Sequence, residues 1–452
     1  MNEEPRLIHR YGQHAAAIWR TTWWHASPDN RGGVTGTVAL QIAVTGFIAG
    51  HAGLPNEWLH LGWLLVTGFF AIAWSDWRPN LTRWSADPGA VLTATFLLWM
   101  TARSCFSEAF LHGDASAEIT RGILGAVLLV LFCALVWQQA QKHDSWQVTG
   151  WVTGMTGALA ALISILLSYF VLPSHHAGER LTNLLVHGGL NPVCAGLTFG
   201  FAAVWLAALM ENETTPLPRR FLWAAVATLN LAAFLSASRG AMLALFCGHA
   251  ALLIARGWRR GAVAASVFVL TATLYFTSAP LLAKLDQWRV ETAELAAHQP
   301  GITHHLQQAV ERGDNGRIDI YRAGWNAIDN FWLGTGQWGV REVWQCELQT
   351  SDDTLMSHLH SAFFATFVHG GVIGAALLLA LLAHGVRCAG RIATHGDATW
   401  IALLAFGCGG LLFDGESLAS LTTAPRFEGL LFWLPLTVAL ARGGVTSPAT
   451  PA

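Results

Sequence analysis

A helical protein built into a membrane is the fold class this chain predicts, and three observations carry that expectation. Of 452 residues, 53% are hydrophobic and only 12% charged, about half the share in an ordinary soluble domain. Apolar runs near the length that spans a bilayer, about 20 residues, recur along most of the chain. The polar residues are gathered into one long interior segment and a few short connections. So little charge excludes a freely soluble enzyme and intrinsic disorder. Lys and Arg together number 26 against 28 Asp and Glu, so the basic excess of a nucleic-acid binder is also missing.

Taken in order, the candidate spans lie near 34–52, 58–75, 90–107, 122–138, 148–172, 192–210, 220–236, 240–256, 261–282, 362–386, 398–414 and 427–441. That makes twelve spans in a single transmembrane domain over 1–452, with both termini on one side. The polar stretch 1–33 precedes the first apolar run, so no cleavable leader is expected. With the N-terminus in the cytoplasm, the cytoplasmic segments hold Arg6, Arg10, Arg20, Arg31, Arg78, Arg83, Lys142, Arg219, Arg220, Arg256, Arg259, Arg260, Arg387, Arg391 and Arg442. The short segments opposite hold Arg103, Arg121, Arg180, Arg239 and Arg426. That bias fixes the orientation, because positive loops stay inside. The seven cysteines form no close pair of metal-ligand spacing, so neither a disulfide framework nor a zinc site is expected.

Residues 283–357 break the pattern as a long loop, periplasmic in this orientation. Its basic residues are Lys284, Arg289, Arg312, Arg317, Arg322 and Arg341, outnumbered by acids. A diffuse trap for anions is thus ruled out; particular arginines would have to do the binding. Within the loop, residues 316–332 read as an amphipathic helix, with Ile318, Tyr321, Trp325, Ile328 and Trp332 on one face. Asp314-Asn-Gly316 precedes it as a turn signal and Gly334-Thr-Gly336 ends it. Such a face suits a membrane surface or the flank of a helical bundle.

Three groups of residues have chemistry to offer. Ser236-Ala-Ser-Arg239-Gly240 is a tight elbow between two spans; it is either an interfacial arginine reaching water or a fixed cation beside a helix N-terminus, suited to a lipid-linked phosphate. Arg317 and Arg322 lie about 140° apart on the loop helix and cannot form one flat clamp. Arg317, in the first turn, opposes the helix dipole unless an anion or a carboxylate answers it, and Asp314 or Asp319 would also serve as partner. Ser357-His358-Leu-His360-Ser361 stands before the span at 362. Histidine changes charge near neutral pH and suits a general base for a sugar hydroxyl, or simply makes interfacial hydrogen bonds. Asp352-Asp353 is a poor metal site, and none is expected.

In this order and spacing the motifs resemble the O-antigen ligase and polymerase family. The stretches that carry the resemblance are Asn191-Pro-Val-Cys-Ala-Gly196, Ser236-Ala-Ser-Arg-Gly240, Gly316-Arg-Ile-Asp-Ile-Tyr-Arg322 with Gly334-Thr-Gly336, and His358-Leu-His-Ser361 followed by Gly371-Val-Ile-Gly374. His369 stands where many relatives carry an acid, and Ala375-Ala376 where the ligase pattern often shows hydroxyls. The resemblance implies a GT-C-like glycosyltransferase in the bacterial inner membrane, moving a glycan from undecaprenyl pyrophosphate to lipid A–core at the periplasmic face. The transfer inverts the anomeric centre and needs no nucleotide sugar, metal or other cofactor; membrane lipids surround the enzyme and nucleic acid has no part. It assigns His360 as base, Arg239 and Arg317 to the pyrophosphate with Arg322 as a weaker third, and supporting places to Ser238, Ser361 and His358. An O-antigen polymerase or a protein O-oligosaccharyltransferase shares this chemistry and differs in acceptor. A transporter is the competing class, but the span centres hold no Asp, Glu, Lys or Arg, where coupling residues would sit.

Overall fold

The computed structural model describes residues 31–74, 84–106, 116–140, 145–171, 180–186, 191–210, 219–257, 261–277, 317–328, 330–337, 359–422 and 427–443. Among them every regular element is helical. They are α1 (Arg31–Gly53), α2 (Glu57–Trp74), α3 (Pro88–Cys105), α4 (Ser116–Ala140), α5 (Ser145–Leu166), α6 (Pro192–Met210), α7 (Arg219–Leu235) and α8 (Arg239–Arg256). There follow α9 (Gly261–Thr277), α10 (Arg317–Asn326), α11 (Ala362–Thr394), α12 (Thr399–Leu411) and α13 (Leu434–Gly443). Wider π turns extend α5 through Leu167–Val171 and precede α13 at Gly429–Trp433. A helix stands in each predicted stretch, and five (within α4, α5, α6, α8 and α11) are long and apolar enough to cross a membrane. The chain is a helical, multi-pass membrane protein.

Local chemistry sets the helix starts. Asp87 accepts hydrogen bonds from the amides of Gly89 and Ala90 at 2.8 and 3.0 Å, with Pro88 in the first turn of α3, a start built from a side-chain acceptor and a preset φ. Asn191 does the same for Val193 ahead of α6. Helix α6 is apolar on every side and buried from Ala195 to Met210, as a helix with no polar stripe must be. Around it pack α5, α7, α8 and α12. Helices α8 and α12 form the most extensive contact, while α11 packs on α3, α12 and α13. Polar groups meet between α1, α4 and α5: Thr45 and Thr149 hydroxyls lie 2.9 Å apart, and Gln139 donates to both Thr149 and Gln41. In an apolar setting such bonds bind helices together.

The loop helix departs from its expected extent and face. It ends at Asn326 rather than at 332, because Asn330 breaks the pattern: its side chain accepts from the amides of Trp332 and Leu333, and its carbonyl from Gly334. Ile320 and Gly324 are its buried positions, packed with Leu359, Ala365 and Val368. Ile318, Trp325 and Trp332, three of the five residues expected on the inward face, are more than half exposed. Tyr321 and Trp325 still reach α11, Tyr321 edge to face with Phe364 at 5.1 Å between ring centroids and Trp325 stacked on Phe367 at 5.7 Å. Asp314-Asn-Gly316, Asp352-Asp353 and Cys346 lie outside the described residues, as does most of 283–357.

Candidate active site

The site is assembled from two helix starts of matching design. Among the described residues, Ala237 and His360 are the non-glycine ones with positive φ, 48° and 51°, a conformation costing roughly 1–3 kcal/mol. Each is followed by a serine that caps the next helix: Ser238 accepts from the Ala241 amide at 3.2 Å and Ser361 from the Phe364 amide at 3.3 Å. The left-handed residue turns the chain sharply so that the cap can follow at once. Ser238 and Ser361, expected in supporting places, stand here as helix caps; His358 lies outside the described residues.

Between these starts sits Asp414, at the end of α12. Its backbone carbonyl accepts the Ala362 amide, and a Cβ placed on Gly240 would stand 2.7 Å from its Oδ2. Only glycine lets the first turn of α8 come this close to the carboxylate, and the positive end of that helix favours an anion there. The same carboxylate meets both predicted residues of the loop and span: Oδ1 is 3.7 Å from Arg317 Nη2 and 3.7 Å from His360 Nδ1. Its side chain is 7% exposed, against 21% for Arg317 and 23% for His360. A carboxylate thus answers the cation in the first turn of α10. Arg317 also lies over the Phe413 ring, 6.0 Å from its centroid.

Arg239 opens α8 next to Gly240 and is exposed, on the same end of the bundle. Arg322 points elsewhere: it pairs with Asp319 at 3.0 Å, both side chains more than two-thirds exposed. The 140° between the two loop arginines accounts for this division. Tyr321, one turn on from Arg317, belongs to the site as well. Burial pushes its hydroxyl pKa up, with the Arg317 cation opposing and the Asp414 carboxylate adding to the shift.

Backbone contacts hold the loop to the spans. At Gly371 (φ 63°, ψ −164°) α11 is kinked, which frees the carbonyls of Val368 and His369. The amides of Thr335 and Gly336 bind them, both at 2.9 Å, and Phe331 accepts from Val372 in return. A Cβ on Gly334 would lie 2.5 Å from the Gly371 nitrogen, and one on Gly371 would collide with the Trp332 carbonyl. The two glycine motifs are the halves of one clasp. Arg103 braces it by donating from Nη2 to Gly334 at 2.7 Å, and His369 by hydrogen-bonding Gly336 at 3.0 Å. From the clasp the chain continues to Gln337, whose amide binds Ser104 and whose side chain accepts from Ser417.

Asp414, Tyr321 and Arg180 were not among the predicted site residues. An acid ending a span otherwise free of charge was the visible sign of Asp414. Arg180 donates to the Ser236 carbonyl at 2.8 Å and so steadies the elbow; nothing local in its sequence announces this. Behind Asp414, Glu428 is buried and accepts from the Glu416 amide at 2.8 Å. Among the described residues no group of three or more His, Cys, Asp or Glu is placed to hold a metal. The assembled groups can bind an anion through arginine and helix starts, and can hold a histidine against a carboxylate as a proton acceptor.

Comparison with known proteins bears on this arrangement. Residues 223–379 match the family model described as O-antigen ligase. The matched stretch holds Arg239, Arg317, Arg322 and His360, while Asp414 lies beyond it. No curated protein matches the chain. The family match supports the O-antigen ligase and polymerase family, and with it a ligase- or polymerase-type glycosyl transfer.

Proposed function

We propose that this chain, tied by the matched stretch to the O-antigen ligase and polymerase family, is an O-antigen ligase of the bacterial inner membrane. It takes a glycan from undecaprenyl pyrophosphate and joins it to a sugar hydroxyl of lipid A–core at the periplasmic face. On this reading the protein is one domain of twelve spans with both termini cytoplasmic, of GT-C-like build, and 283–357 contributes to the site from the periplasm. The observation that carries the chemical part is the Asp414 carboxylate, equidistant from Arg317 and His360.

The chemistry follows from charge. As the acceptor oxygen bonds to the anomeric carbon, the bond from that carbon to the phosphate oxygen breaks, and its electron pair stays on the pyrophosphate. Arg317 and Arg239, with the start of α8, stabilise that growing charge. Arg322, held by Asp319, is an outer and weaker contact. A carboxylate beside Nδ1 keeps the proton on that nitrogen, which leaves Nε2 of His360 to take the acceptor proton. Attack opposite the leaving group inverts the anomeric centre. Asp414 is a positioning residue here, and its bond to Arg317 gives way in part when the pyrophosphate arrives.

The test is transfer in reconstituted membranes containing lipid-linked glycan and lipid A–core. Wild-type protein should extend the core. His360→Ala and Arg317→Ala, inserted to the same level, should lose about 10²-fold or more of the rate. Full activity in either variant overturns its assignment. Polymerisation of the donor with no core extension would instead establish the polymerase.

A further inference from the structure

Helices α3 and α4 follow one another in the chain yet touch only slightly. The space left between them is a cavity of about 480 Å³, floored by Thr437 of α13. Small residues, Ala94 on α3 and Ala126 on α4, keep the walls apart. Leu98 and Val127 on its lips are 71% and 58% exposed, so in a bilayer the groove opens sideways to lipid. Along α3 the lining runs from Ala90 to Thr101, about 16 Å at the rise of a helix. Along α4 it runs from Ile123 to Trp137, about 21 Å, so the groove is half to two-thirds as deep as the roughly 30 Å hydrocarbon core. At one end Trp84 and Trp137 meet edge to face, 6.5 Å between centroids, and close it. The other end reaches the face that carries the candidate site, where Arg103 follows Thr101 and Arg121 precedes Ile123.

We propose that this groove seats one acyl chain of the acceptor glycolipid, an inference that rests on the ligase reading. A straight acyl chain fits its depth, and a phosphate on the acceptor's acylated sugars fits the exposed Arg121 at its mouth, Arg103 being engaged by the backbone of Leu333, Gly334 and Phe106. The donor's tail does not fit. Pyrophosphate is joined to its prenyl chain without a spacer, so a tail lodged here would hold its pyrophosphate beside Arg103. The clasp at Gly334 and the Ser104–Gln337–Ser417 contacts would then stand between it and Arg317. An acyl-anchored acceptor has a run of sugars to cover that distance. The groove therefore gives the enzyme a second lipid seat, separate from that of the carrier.

Two measurements on the full-length protein in nanodiscs test this. Ala94→Phe and Ala126→Phe fill the groove, and should raise KM for acylated acceptor about tenfold while leaving kcat and the donor KM unchanged. For a deacylated core oligosaccharide, the variants and wild type should not differ. An unchanged acceptor KM overturns the proposal, and so does a raised donor KM, which would give the groove to the prenyl tail. Wild-type protein is also irradiated with acceptor carrying a diazirine in an acyl chain. Labelling within 90–101 and 123–137 is expected; labelling elsewhere, or equal labelling by a bilayer phospholipid probe, overturns the seat. Wild type that extends no acylated core sinks the ligase reading itself, and this inference with it, a result distinct from any groove effect.

Discussion

Asp414 is where residue-scale chemistry is most exposed to test. Replacing it with Asn keeps the size but removes the charge that faces both Arg317 and His360. Turnover should fall about 10²-fold or more, while KM for the lipid-linked donor holds steady or improves, since Arg317 loses a competing anion. Steady-state kinetics separate the two effects; a raised donor KM with normal turnover would mean that Asp414 serves binding. Gly240→Ala asks the same question by geometry. Its Cβ would stand 2.7 Å from the carboxylate, so activity should drop at least about tenfold through misplacement of a catalytic contact. The melting temperature should move little, because alanine favours the helix that follows. Arg322→Ala should cost far less activity than Arg317→Ala, since an exposed ion pair contributes about 0–1 kcal/mol.

At the scale of elements, the clasp decides whether the loop helix is held over the site. Gly371 and Gly334 both have positive φ, and each presents its bare α-carbon to the other's strand of backbone. Gly371→Ala combines that strain with a collision against a carbonyl, which has no flexible side chain to give way. It should destabilise the clasp by more than about 1 kcal/mol. The amides of Thr335 and Gly336 should then exchange faster with deuterium, and the site should lose activity, while the amides of α6 exchange as before. Uniform loss of protection through α6 would show instead that the clasp and the bundle unfold together. His369 explains itself at this scale: it braces the Gly336 carbonyl and so helps to hold the loop.

For the molecule as a whole, the orientation makes a plain prediction. Alkaline phosphatase fused at the C-terminus should be inactive, because the enzyme matures only outside the cytoplasm, and the same reporter inserted near residue 300 should be active. The reverse pattern would turn the site toward the cytoplasm and remove the proposed acceptor. The packing also shows why the site is at one end. Arg103, Arg180, Arg239, Arg317, His360 and Asp414 all stand at helix termini of the same end or in segments joined to them, where charge avoids the cost of the apolar interior.

Helix positions were legible in the residues, since they depend on a local pattern, apolar runs of spanning length. Arg317 was read as needing an anion because a helix start disfavours a cation, and Asp414 supplies it. The partner's identity was out of reach, as residues 317 and 414 meet only when α10, α11 and α12 have packed. Pattern also misjudged the face of α10, because Ile320 and Gly324 match the surface of α11 better than the wider apolar stripe does. The glycine pairs were visible as motifs, but their role depends on two backbones brought into contact from segments far apart in the chain. Composition and periodicity act along the chain and so dictate that it enters a membrane as helices. Convergence of a carboxylate, a histidine and an arginine is a matter of how those helices pack, and packing depends on shapes that no single segment contains.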